Sequence, residues 1–79
     1  MTVRLVDEVI RLEGACPVEE AEALLALVQE RPDRPVDLSG CRHLHGAVLQ
    51  VLLAFRPPVQ GQSEDPFLRD WVLPALQRP

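Results

Sequence analysis

Val36 to Phe55 read VDLSGCRHLHGAVLQVLLAF, and this stretch decides the fold. Its first part, Pro35-Val36-Asp37-Leu38-Ser39, is too short and too β-like for a helix and stops at Gly40, which predicts a buried strand. Its second part, Gly46 to Phe55, is apolar on nearly every side except at Gln50. As a helix it should therefore be covered on more than one face. Pro57-Pro58 ends it, because proline lacks the N–H that the next helical bond requires. A strand, a loop and an apolar helix in that order form one α/β unit.

Upstream, Val3 and Leu5, then Val9, Ile10 and Leu12, form two short runs separated by Asp7-Glu8 and closed by Glu13-Gly14, as an antiparallel hairpin requires. From Pro17 to about Arg31 the period lengthens. Val18, Ala21, Leu24, Leu25 and Val28 fall on one stripe and the acids mostly face elsewhere, so an amphipathic helix crosses over between hairpin and third strand. Downstream, Asp65 can cap and Pro66 can open a last helix, which Pro74 should kink. The fold class is α/β: a small sheet of three to four strands with helices packed on one face, plus a C-terminal helix. One domain is expected, with a core over 1–56, a polar, Pro-rich loop over 57–66 and the helix over 67–79. Between Pro57 and Glu64 only Val59 is apolar, so no further strand is predicted. The open edge of the third strand would then be covered by the C-terminal helix or by a second copy.

Composition narrows the function. The 79 residues carry 47% hydrophobic and 25% charged side chains, the balance of a folded domain. Twelve acids against eight arginines and no lysine leave a net charge of −4, which disfavours nucleic acid as a partner. The longest apolar run, Ala47 to Phe55, is well short of a membrane span of roughly 20 residues. No signal-peptide pattern opens the chain, so a cytoplasmic location with Cys16 and Cys41 reduced and mostly buried is expected.

The quoted stretch resembles the signature of STAS domains, the fold of bacterial anti-sigma factor antagonists and of the cytoplasmic tails of sulfate transporters. Asp37, Leu38 and Ser39 match the strand end, Cys41 and Leu44 the two apolar loop positions, and Leu49, Leu52 and Leu53 the apolar helix. The resemblance covers about residues 2 to 56. In the family an Asp-Ser pair opens this helix, and the serine is phosphorylated by a partner kinase. Here His45 and Gly46 occupy those positions, and glycine has no hydroxyl to accept a phosphoryl group. The family's fold continues with further strand, helix and strand units, so the chain reads as a shortened version. The resemblance implies a non-enzymatic protein-interaction module and regulator without Ser phosphorylation. Its implied partner is an anti-sigma or histidine-kinase-type ATPase, or a transporter complex in which it is an accessory subunit. The expected docking residues are Arg42, His43, His45, Gly46, Leu49 and Gln50.

Alternatives from other classes stay open. Cys41, His43 and His45 alternate, so an extended backbone would point all three to one side, as a weak zinc ligand set. Arg42, His43 and His45 at the start of a helix could instead draw an anion. A structural homodimer pairing the Gly46 helices is the third option. No catalytic set and no cofactor are expected: there is no Tyr, no Lys and no Gly-rich phosphate loop. Trp71, Phe67, Leu68, Val72 and Leu76 read as core packing, with an exposed aromatic anchor as the minority case.

Overall fold

A computed structural model describes residues 3–77. Alternation of apolar and polar residues sets the hairpin, β1 (Val3–Val6) and β2 (Val9–Leu12), in the register Val3 to Leu12 and Leu5 to Ile10. Its two-residue turn places Asp7 at φ 51° and Glu8 at φ 65°. Both signs are positive, as a turn that follows the right-handed twist of the strands demands. Non-glycine residues pay for that conformation, and Arg34 helps hold it. Arg34, only 7% exposed, donates through Nε to Glu8 Oε2 at 3.1 Å, and through its terminal nitrogens to Glu30 Oε1 at 2.9 Å and the Leu27 carbonyl at 3.4 Å. Burial pushes the guanidinium pKa down, but the hydrogen bonds to Glu30 and Glu8 outweigh it and raise the net value.

After β2 come β3 (Gly14–Cys16), α1 (Glu20–Glu30), β4 (Val36–Asp37), β5 (Cys41–Leu44), α2 (Gly46–Phe55) and β6 (Val59–Gln60). The C-terminal helix, 66–77, contains a π turn at Leu68–Val72 and ends in α3 (Leu73–Gln77). The main sheet runs β1-β2-β4-β6, with β1 antiparallel to β2 and the other pairs parallel. Both parallel connections step in the same direction, and right-handed crossovers then put α1 and α2 on the same face. Ile10, Leu12, Val36 and Leu38 from the strands pack there with Leu24, Val28, Val48 and Leu52 from those helices.

Several expectations change. A strand does follow Pro57-Pro58: β6 pairs with β4 because Val36 N–H donates to the Pro58 carbonyl at 2.7 Å and Leu38 N–H to the Gln60 carbonyl at 3.0 Å. Two residues suffice, so no hydrophobic run announces it. The third strand therefore has no open edge, and the C-terminal helix lies against β6 instead, where Gln77 Nε2 donates to the Val59 carbonyl at 3.5 Å. The segment Gly40 to Gly46 is not all loop, since β5 pairs in parallel with β3 as a second, two-stranded sheet. The first helix begins at Glu20, after a turn in which Glu20 N–H bonds the Pro17 carbonyl at 3.0 Å, and Val18 is exposed outside it. Pro74 lies just after the π turn, in which Leu73 N–H reaches back five residues to the Leu68 carbonyl. The predicted helix start holds, with Leu68 N–H donating to Asp65 Oδ2 at 3.0 Å. Residues 1–2 and 78–79 of the expected core and helix lie outside the described residues.

Gly61 has φ +81°, and a Cβ there would collide with Asp37 Oδ1 and come within 2.9 Å of Ser39 N. Gly61→Ala is expected to lower the unfolding free energy by about 2 kcal/mol or more, measured by urea denaturation. Arg34→Met, which removes the tie between hairpin turn and α1, should lower Tm, whereas Arg31→Met, whose side chain is half exposed, should leave it nearly unchanged.

Candidate functional site

The strand end Asp37-Leu38-Ser39 is a structural turn. Asp37 Oδ1 accepts from Ser39 N–H at 2.8 Å, and this bond is the chief reason that its carboxyl lies below the ordinary 3.8; nearby Arg11 and Gln60 act in the same direction. Cys41 N–H then donates to the Leu38 carbonyl at 3.0 Å, which turns the chain into β5. A shallow pocket of about 80 Å³ lies at the carboxyl ends of β2 and β4, lined by Arg11, Leu12, Glu13, Asp37, Ser39 and Gly40. It is far smaller than the several hundred Å³ typical of small-molecule sites.

The three candidate zinc ligands do not come together on one side. In β5 the register steps from Gly14–Cys41 to Ala15–His43, so Arg42 is an extra residue without a partner across the ladder. Such a bulge reverses the alternation. Cys41 and Leu44 consequently both enter the core, while Arg42, His43 and His45 stay exposed. Among the described residues no group of His, Cys, Asp and Glu could hold a metal ion. Cys41 and Cys16 are both buried free thiols, as expected. A hydrogen bond with Cys16, reinforced by burial, pushes the Cys41 pKa up and favours the thiol over the thiolate.

His45 caps α2. Its backbone N–H donates to the Cys16 carbonyl at 3.0 Å, and its Nδ1 accepts from Ala47 N–H at 3.1 Å. One of the N–H groups that an anion would need is thereby occupied. Gly46, the first residue of α2, has nothing within 4 Å of where a Cβ would stand.

The docking residues expected from sequence differ little in exposure. Arg42, His43, His45, Gly46 and Gln50 are exposed and Leu49 is half-buried. Along α2, Val48 and Leu52 face the core. Gly46, Gln50, Leu53, Ala54 and Phe55 face outward, with Leu53 39% and Phe55 42% exposed. The expectation that this helix is covered on more than one side is therefore corrected: one side packs and the other is open.

Two contributors were not legible beforehand. Ser63, buried, donates through Oγ to the Cys41 carbonyl and accepts from Asp65 N–H at 3.0 Å, tying the start of β5 to the cap of the last helix. Its place in a polar stretch gave no sign of burial. Phe67 and Trp71, assigned to the core by their apolarity, are 64% and 73% exposed. The buried positions of that helix are instead Leu68, Val72, Leu73 and Leu76, which supply its packing without an aromatic.

Comparison with known proteins finds no match: no family model fits the chain, and no curated protein and no solved structure matches it. Among the described residues no helix is long and apolar enough to cross a membrane.

Replacing the cap by His45→Ala should cost about 1 kcal/mol in urea unfolding, and His45→Asn, which retains a side-chain acceptor, should restore most of it. Because the Asp37 pKa is depressed on folding, its contribution is complete above about 3.8 and is lost as pH falls through the lower folded value. Asp37→Asn should therefore flatten the loss of stability between pH 4 and more acid conditions, followed by circular dichroism; an unchanged acid limb would count against this role.

Proposed function

We propose that this chain is a small STAS-like protein-interaction module that binds a protein partner through the segment Arg42 to His45 and the outward face of α2. One observation carries the reading: α2 has ten residues, none of them charged, and half of them face solvent. An exposed helix face on a soluble domain ordinarily carries charge, and an uncharged one with exposed leucine and phenylalanine fits a surface that another protein covers. Supporting it are the order of elements, a hairpin followed by two helical crossovers in one direction, and the Asp37-Leu38-Ser39 turn that precedes the helix.

Binding rests on surface complementarity, without catalysis. Gly46 offers no hydroxyl, so partner release does not use a phosphoserine at this position. The partner class that the resemblance implies is an anti-sigma or histidine-kinase-type ATPase, or the ATPase-containing complex of a transporter. His43, His45 and Arg42 supply the polar rim, and Leu49, Gln50 and Leu53 lie within or beside the contact.

Affinity purification of the full chain from its native cell should enrich an ATPase. Leu53→Glu should abolish that enrichment with little change in Tm, since the side chain is exposed. Gly46→Asp has room for its side chain and favours the positive end of the helix dipole, so it should keep the fold while placing a charge in the contact and weakening capture. Equal recovery of the same proteins by wild type and both variants would reject this surface.

A further inference from the structure

The acids of this chain are unevenly placed. All twelve lie outside residues 38–63, and nine of them, against four arginines, fall within residues 1–37. The acid-free stretch carries Arg42, His43, His45 and Arg56 and includes β5 and α2. In a protein of net charge −4, the two elements assigned above to docking thus have no negative side chain.

The bulge in β5 adds to this. Regular alternation would turn Arg42 outward and His43 inward, but the extra residue leaves both exposed, side by side just before α2. Arg4, Arg31, Arg34 and Arg69 each form an ion pair with a carboxylate of this chain, and Arg42 forms none among the described residues. Glu13, the acid packed beside Gly40, is already paired with Arg4 at 3.4 Å. His45 supplies a further donor: its Nδ1 accepts from Ala47 N–H, so the ring proton sits on Nε2 of an exposed residue.

The kind of occupant follows from these donors. Carboxylates match them, and a guanidinium can hold one through two parallel hydrogen bonds. Along α2 the exposed Leu53 and Phe55 ask for apolar cover at the same time. A nucleic acid or an anionic membrane needs a dense field of cations, which two arginines on an acidic domain do not supply. We infer that the protein partner of this segment presents an acidic site, Asp or Glu side chains that engage Arg42 and His43, next to an apolar patch that covers Leu53. This rests on the docking surface proposed above and adds the chemistry of what docks there.

The test uses the full chain, immobilised, with lysate of its native cell, and then the captured protein in purified form. Recovery should fall at least about tenfold as salt rises from about 50 mM to about 500 mM, because screening weakens exposed charge pairs. At low salt Arg42→Glu should slow association with the purified partner about tenfold or more, and replacement of one partner Asp or Glu by Arg should restore it. Arg42 is exposed, so the circular dichroism melt of Arg42→Glu should match wild type. Capture that is lost with Leu53→Glu but indifferent to salt and to Arg42→Glu overturns this inference and leaves the docking surface standing. No capture at low salt overturns both. Recovery abolished by nuclease, or Arg42-dependent binding to phosphatidylglycerol vesicles, overturns the acidic protein in favour of a phosphate surface.

Discussion

The structure depends on the five residues Pro35 to Ser39, whose backbone is hydrogen-bonded on both sides. The Ile10 N–H donates to the Pro35 carbonyl at 2.9 Å, while Val36 and Leu38 donate to Pro58 and Gln60 across the other edge. A buried peptide group left unpaired costs as much as a lost hydrogen bond, so the middle strand admits no slippage. Val36 and Leu38 are fully buried on the helix side, and a shift of one residue would turn both outward. Every other element takes its place from this strand: the hairpin on one side, β6 and the C-terminal helix on the other, and α1 and α2 above.

The central strand also places the segment from β5 to α2. Asp37 and Ser39 turn the chain into β5, whose pairing with β3 carries Cys16 beneath the His45 N–H and starts α2. With the bulge at Arg42, the polar side chains of this segment face solvent and the thiol faces inward. The result is a core that holds both thiols with an uncharged, half-exposed helix above it.

Much of this was legible in the sequence because short-range rules governed it. The hairpin, the limits of α2 and the Asp65 cap come from alternation, from glycine and proline, and from a side chain reaching three residues ahead. The residues from Arg42 to Gln50, proposed to dock a partner, stand out in the same way, since they flank a helix start. Where long-range pairing decided the outcome, local patterns misled. Val59–Gln60 is a strand only because β4 has a free edge at the right distance, and Cys41 parts from His43 only because β3 forces a bulge.

The sequence by itself determined the α/β class, the element order at most positions, the absence of a hydroxyl at Gly46 and two reduced thiols in the core. Those depend on period, on composition and on the chemistry of single residues. Only the tertiary structure decided which apolar residues stay in water. Phe67 and Trp71 are as hydrophobic as any core residue, but Leu68, Val72, Leu73 and Leu76 already fill the side of their helix that faces the sheet. A packed interior has a fixed volume, and the rings it excludes stay at the surface.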